Sequence, residues 1–402
     1  MTSALKKPFY LARQKLVGKV MLKPQPKPLL FTGEGATGKL CETIAQFGIA
    51  KVLIVTDKPL RELGVIEPTI AALSAAGVAS VVYDGVEPDP TVSVVNNGLA
   101  AYRENQCDAV LAFGGGSSID AAKVVSLAAG NNCQAQDCLG IGKGKNPAVP
   151  FFAIPTTSGT GSEATFIAVI SDDETHAKGA VIGPALIPMA AALDASVLRG
   201  LPPHITAATG MDALTHAIES YIGRWETQET NFYGRAATKL IFENLPTACS
   251  NGQDTAAREA MALASFYGGL AITNALVGYV HAVSHNLGAK YGVPHGLGNA
   301  LVLPHVLELL AEVSEQKLAE LSAHAGLGDA SESDAALTRK LIDRVWALND
   351  EIGIPRTTDV IKAQDVEGLL DVMLAEGASY PCPRFLTRDE MRGILKSIGA
   401  PI

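Results

Sequence analysis

The run Asp108-Ala-Val-Leu-Ala-Phe113 passes without a break into Gly114-Gly-Gly-Ser-Ser-Ile-Asp120-Ala-Ala-Lys123, and this junction limits the fold more than any other stretch. A short, continuous apolar run of this kind reads as a strand buried on both faces, as in the middle of a parallel sheet. Three glycines at its carboxyl end let backbone approach a ligand closely, and a helix starting near Ser118 offers free N–H groups there. The arrangement suits a pyrophosphate, although it is not the Gly-x-Gly-x-x-Gly pattern, and a plain tight turn would look the same.

The same alternation recurs through the first half. Pro28-Leu-Leu-Phe-Thr-Gly-Glu-Gly35 reads as strand and turn, Lys51-Val-Leu-Ile-Val-Thr56 as a buried strand ended by Asp57, and Ser80-Val-Val-Tyr83, Phe151-Phe-Ala-Ile154 and Ala191-Ala-Leu-Asp194 as further strands. Helical stretches separate them near 68–76 and 92–105. Such alternation predicts an α/β, Rossmann-like, mostly parallel sheet with ligands at the carboxyl ends of its strands. A second polar loop, Pro155-Thr-Thr-Ser-Gly-Thr-Gly-Ser-Glu163, follows one strand end. Its Thr156, Thr157, Thr160 and Ser162 can meet ribose, phosphate or carboxamide, or the loop can be a connector. After Leu201-Pro-Pro203 no strand is evident and the chain reads as helices over 205–221, 230–245, 256–273, 275–289 and 305–325. At 402 residues two domains are expected. The predicted division is a basic arm over 1–27, an α/β nucleotide-binding domain over 28–200 and an all-α domain over 201–402.

The helical half carries four of the chain's eight histidines between residues 212 and 295. Asp212 and His216 are four apart, as are His281 and His285, and this spacing stacks both members of each pair on one helix face. His295 follows in Tyr-Gly-Val-Pro-His-Gly. One carboxylate with three imidazoles, from two helices and a loop, makes a divalent transition-metal site with an open position. The alternative is a set of hydrogen-bonded core histidines.

A formal net charge of −9 argues against a polyanionic partner such as nucleic acid. No apolar run reaches the roughly 20 residues of a membrane span. The six cysteines have no metal or redox spacing, which predicts reduced thiols in a cytoplasm. Seven Lys and Arg residues precede the first acid, Glu34. That segment reads as a basic arm on the surface or at a subunit contact, with anionic membrane binding as the other option.

Taken together, Gly-Gly-Gly-Ser-Ser-Ile-Asp-Ala-Ala-Lys, Ile-Pro-Thr-Thr-Ser-Gly-Thr-Gly-Ser-Glu, Gly-Met-Asp-Ala-Leu-Thr-His-Ala-Ile-Glu and the His-x3-His-x9-His spacing resemble the iron-containing (group III) alcohol dehydrogenases, in the right order from about residue 28 to the end. The resemblance implies metal ligands at Asp212, His216, His281 and His295, and a non-ligand histidine at His285 lining a cleft between the two domains. It implies NAD held by Gly114, Gly115, Gly116, Ser117, Asp120 and the threonine loop, with Asp57 at the adenosine ribose. A carboxylate there would repel the 2′-phosphate of NADP; a helix N-cap is the competing role for Asp57. It further implies Fe2+, with Zn2+ also suited to the donor set, a small alcohol or diol and its aldehyde as substrates, and a homodimer. His285 is the expected proton shuttle, or else a hydrogen-bonding support.

Two departures stand out. The basic first 20-odd residues lie outside the resemblance, and Cys382 occupies a position where many relatives have Asn before Pro-Arg. Rival readings are a zinc polyol or glycerol dehydrogenase, a dehydroquinate-synthase-like lyase, and a non-catalytic NAD-binding subunit. The first usually lacks a ligand at the His216 position. The second would want a cluster of Lys and Arg, which residues 212–295 do not offer, and the third has no reason to keep every ligand.

Overall fold

The computed structural model describes residues 3–175, 177–329 and 331–401. Met1, Thr2 and the side chains of Lys6, Lys7 and Lys19, all in the basic segment, lie outside the described residues. The chain forms two compact units, neither contiguous in sequence. One comprises Gln25–Leu201 with Gly252–Gly269; the other comprises Met1–Pro24, Pro202–Asn251 and Leu270–Ile402.

The chain opens with α1 (Ser3–Met21), where the sequence predicts an arm. The α/β unit then begins with β1 (Leu29–Thr32), α2 (Ala36–Gln46), β2 (Lys51–Asp57), α3 (Lys58–Glu62), α4 (Glu67–Ala75) and β3 (Ala79–Val86). It continues through α5 (Val92–Glu104), β4 (Ala109–Gly114), α6 (Gly116–Asn131), β5 (Gly140–Ile141) and β6 (Phe151–Pro155). The last strands are β7 (Ile167–Ser171), β8 (Lys178–Ile182) and β9 (Ala190–Leu193). Six of these strands form a wholly parallel sheet in the order β1-β9-β6-β4-β2-β3. Every residue of β4, β6 and β9 is buried, which accounts for their unbroken apolar runs.

Strand order reverses between β2 and β4. Their carboxyl ends, at Asp57 and Gly114, therefore flank the switch point where open α/β sheets take ligands. Gly114 pairs with Pro155 across β4 and β6, so the glycine turn and the threonine loop leave the sheet side by side. The sequence does not reveal the small sheet β5-β8-β7, with its antiparallel β7–β8 hairpin. Its strands are short, and only one residue of β8 is fully buried, so no clear run or alternation marks it.

The second unit is helical. It holds α7 (Pro203–Ile222), α8 (Gln228–Ser250), the end of α9 (Thr255–Ala275), α10 (Tyr279–Tyr291), α11 (His295–His324), α12 (Asp334–Glu351), α13 (Val366–Gly377) and α14 (Arg388–Ser397). The first part of α9 groups with the α/β unit for visible reasons. Ser265 Oγ accepts from Gly161 N at 3.1 Å, and Arg199 donates to Thr255 Oγ1 at 2.8 Å. Between α9 and α10 the chain turns at Leu276 (φ +58°), so the second histidine helix starts at Tyr279 rather than at 275. By length and composition α11 is long and apolar enough to cross a membrane, unlike anything the sequence reading expects. It packs instead against α7, α10 and α12, more than half buried, as a core helix.

Candidate metal centre and nucleotide site

The residues expected to hold a metal all belong to the helical unit. Asp212 and His216 stand one turn apart on α7, His281 near the start of α10, and His295 at the first position of α11. His295 thus lies on a third helix, not on a loop. Two glycines let that helix come in: a Cβ at Gly296 would meet Ala208 O at 2.2 Å, and one at Gly298 would meet Ser284 Oγ at 2.5 Å. Larger residues there would push α11 off α7 and α10 and carry His295 away.

Asp212 Oδ1 is the hub. It lies 3.6 Å from His216 Nε2, 3.7 Å from His281 Nε2 and 3.3 Å from His295 Nε2. Four donors bound tetrahedrally at about 2.1 Å to one ion would stand about 3.4 Å apart; the donor atoms of Asp212, His216 and His281 all lie within 4.8 Å of one another and could share a cation, and His295 reaches the same Asp212 oxygen. Charge points the same way. Burial opposes ionisation of Asp212, yet the facing imidazoles of His216 and His295 hold its carboxyl well below the usual range. Burial would likewise discharge His281, but hydrogen bonds to Asp212 and Glu219 push it up to about 9. The two buried carboxylates beside these rings, Asp212 and Glu219, are negative charge that a bound cation would neutralise.

Two supports escape the sequence reading. Glu219, on α7 one turn beyond His216, accepts from Gly278 N (2.7 Å), Val280 N (2.7 Å) and His281 Nδ1 (2.7 Å). It therefore caps the start of α10 and fixes the His281 tautomer, leaving Nε2 for a metal. The 212, 216, 219 spacing that puts it on the same face is visible in the sequence. Asn299, one turn after His295 and fully buried, donates to Asp212 Oδ1 at 2.7 Å. Its only signal is a lone amide in an apolar run. We expect Glu219→Gln to weaken metal binding about 10–100-fold, as loss of such outer partners does. Competition with a chelator, on protein whose circular dichroism is unchanged, checks this.

His285 points its ring beside the cluster, stacked on His295 with centroids 5.0 Å apart. Its Nδ1 is bonded to Glu376 Oε1 at 2.7 Å. Glu376 also accepts from Asn286 Nδ2 (2.7 Å) and Tyr380 OH (2.8 Å). Burial, with His295 and His281 nearby, brings His285 down to about 4 against the pull of Glu376, so the ring is neutral at physiological pH. Glu376 gives no sequence signal: it is an acid near the end of an ordinary helix.

In the α/β unit the glycine turn meets the threonine loop. A Cβ at Gly115 would stand 3.3 Å from Thr157 Cγ2, and one at Gly116 would stand 2.7 Å from Thr160 Cγ2. Thr156 is buried and bonds Gly114 O through its N–H at 3.0 Å. Ser117 lies half-buried in the first turn of α6, beside the amino terminus that faces this loop. Asp57 takes the helix N-cap role of the two considered for it. Its Oδ1 caps α3 by accepting from Leu60 N at 2.9 Å, while Oδ2 stands 3.6 Å from the Cβ position of Gly114.

Asp120 and Ser162 are brought together in a buried network. Ser162 Oγ donates to Asp120 Oδ1 at 2.6 Å, Val169 N donates to Asp120 Oδ2 at 2.9 Å, and Lys123 Nζ donates to Ser162 Oγ, Thr165 Oγ1 and Ile167 O at 2.7–2.9 Å. Burial brings Lys123 down to about 8 and pushes neighbouring Glu163 up to about 7. Between about pH 4.5 and 7 the folded chain therefore keeps a Glu163 proton that the unfolded chain has lost, so rising pH lowers stability across that window. Glu163→Gln should flatten this slope, worth at most about 3 kcal/mol. Melting curves at fixed metal load from pH 4.5 to 8 test it; parallel slopes in both proteins would sink the idea.

Comparison with known proteins gives consistent matches. The family model for iron-containing alcohol dehydrogenase matches residues 27–195, and that for the C-terminal part of the Fe-containing alcohol dehydrogenase family matches 206–399. Alcohol dehydrogenase 4 of Schizosaccharomyces pombe is 37% identical over 369 residues, covering 91% of this chain and 86% of its own. Lactaldehyde reductase of Escherichia coli is 36% identical, covering 89% and 94%. The crystal structure of a 1,3-propanediol oxidoreductase superposes with a TM-score of 0.89 at 36% identity, over 93% of this chain and 98% of that one.

Proposed function

The chain belongs to the iron-containing alcohol dehydrogenase family, and on that premise we propose that it interconverts a small primary alcohol or diol and its aldehyde. It is an NAD-dependent oxidoreductase acting on CH–OH groups, with iron as its metal. The observation that carries the reading is the meeting of Asp212, His216, His281 and His295 around one carboxylate oxygen. The size of the substrate is supported by relatives named for lactaldehyde, methanol and 1,3-propanediol.

Fe2+, when bound, supplies Lewis acidity to the substrate oxygen, and NAD supplies the carbon that takes or gives the hydride. The chain's own residues do the rest. Gly114, Gly115 and Gly116 with Ser117 and the amino terminus of α6 bind the pyrophosphate, and Thr156, Thr157 and Thr160 close the same pocket from the other side. Asp120 and Ser162 hold that threonine loop against α6 through Lys123. Asp57 accepts from a ribose hydroxyl and turns away a 2′-phosphate. His285, with Nδ1 fixed by Glu376, takes and passes on the alcohol's proton at Nε2. Because its ring binds a proton weakly, it relays rather than stores.

We place the protein in the cytoplasm, supported by cysteines that form no disulfide among the described residues. The expected assembly is a homodimer, which sedimentation would read. The functional test is anaerobic: strip the protein with a chelator, add back Fe2+, Zn2+ or nothing, and follow NADH with short alcohols and diols. Activity restored by Fe2+ is the expected result. Restoration by Zn2+ alone would move the chain toward polyol dehydrogenases, and none with any metal, despite NAD binding, would defeat the proposal.

A further inference from the structure

We propose that the amino-terminal helix α1, which precedes the family-matched region, is a positioning element for the His285–Glu376 pair. The functional weight of that pair rests on the reading of His285 as proton relay given above.

The anchor is Gln14. In an otherwise exposed stretch of helix its side chain is 4% exposed, and both ends are bonded within the helical unit. Its Nε2 donates to Ala378 O at 2.8 Å and to Tyr380 O at 2.5 Å, and its Oε1 accepts from Arg224. Ala378 is the C-cap residue of α13, where a helix leaves carbonyls without partners of its own. Gln14 thus closes the end of α13 from a distant part of the chain. Two more contacts seat the helix: Gly18 lies flat against the Trp225 indole, where a Cβ would come within 3.1 Å of Cε2, and Tyr10 meets the Phe385 ring at 6.5 Å.

What α1 holds is the support of the relay. Glu376 sits in the last turn of α13, just before the capped carbonyls, and Tyr380 is the residue whose backbone Gln14 grips and whose hydroxyl donates to Glu376 Oε1. The same oxygen receives His285 Nδ1. A continuous chain of short bonds therefore runs from Gln14 through Tyr380 and Glu376 to the imidazole. Without the Gln14 amide, two carbonyls lose their donor and the 378–380 turn is free to settle elsewhere, taking the Tyr380 hydroxyl with it. Neutral Gln14 cannot act on the imidazole through charge. Its influence is geometric: it sets where Glu376 stands.

The test reads the bond itself. In full-length, zinc-loaded protein labelled with 15N-histidine, the low-field Nδ1–H resonance that vanishes in His285→Ala identifies the His285–Glu376 hydrogen bond. Gln14→Ala is expected to move this signal upfield and broaden it by solvent exchange. In the iron-loaded enzyme it should lower kcat about five-fold, leaving KM for NAD and metal content unchanged. Gly18→Ala, which nudges α1 by a few tenths of an ångström without orphaning a polar group, should give a smaller change in the same direction, and it decides the matter if Gln14→Ala fails to fold. An unmoved resonance in a folded variant overturns the proposal, even if the melting temperature drops. A moved resonance with unchanged kcat upholds the brace and refutes the relay reading instead.

Discussion

Replacing Asp212 or His281 with alanine should lower kcat at least a thousand-fold while the protein stays folded and still binds NAD. Both residues supply atoms to the cluster on Asp212 Oδ1, and both are buried with their functional groups turned to it. Removing Asp212 takes away the carboxylate at the cluster's centre; removing His281 also strips Glu219 of one of the donors described for it. A metal acting as Lewis acid contributes several kcal/mol to the transition state, and each 1.36 kcal/mol is tenfold, so about a thousand-fold is a modest expectation. The residues proposed to bind the nucleotide belong to the other unit and are built without either side chain, so NAD affinity should change little. Metal content by emission spectroscopy, NAD titration by fluorescence and kcat together decide it. A variant that keeps its iron and works within tenfold of the parent would remove these residues from the ligand set.

The second large effect is structural in origin. Gly269→Val should cost more than about 3 kcal/mol and abolish measurable NAD binding, because Gly161 and Gly269 meet backbone to backbone. A Cβ at Gly269 would stand 2.3 Å from Gly161 O, and one at Gly161 (φ +56°) would stand 2.4 Å from Ser265 O. Neither obstacle is the flexible end of a side chain that could swing aside. The threonine loop or the helix must move as a whole, and Thr160 with it. Thermal melts and NAD titration check this; a Gly269→Val variant that melts and binds like the parent would show the approach to be looser than described.

What can be read in advance, and what cannot, follows from how local each signal is. The parallel sheet is legible because buried strands such as Lys51–Asp57 and Ala109–Gly114 satisfy both faces with apolar side chains, leaving a continuous run. The histidine pairs are legible because helical spacing alone puts both members on one face. The β7–β8 hairpin is not, since β7 mixes partly and fully buried positions without a regular period and β8 buries one residue of its five. Nor is the segment Gly252–Gly269 as part of the α/β unit, because a helix carries no mark of which neighbour it will join. Glu376 and Gln14 escape for the same reason: each is an ordinary polar residue on a helix, and only the fold brings them to Tyr380. The basic character of the first residues draws notice to charge, whereas a neutral glutamine does the anchoring.

One carboxylate joins two processes that are usually separate. Glu219 receives the first amides of α10 and the imidazole of His281 together, so the nucleation of a helix and the aiming of a ligand nitrogen are one thermodynamic event. Whatever occupies the aimed nitrogen stabilises the helix start by mass action, and fraying of that start loosens the grip in equal measure. Amide exchange at Gly278 and Val280 then becomes a gauge of metal loading, read without any substrate.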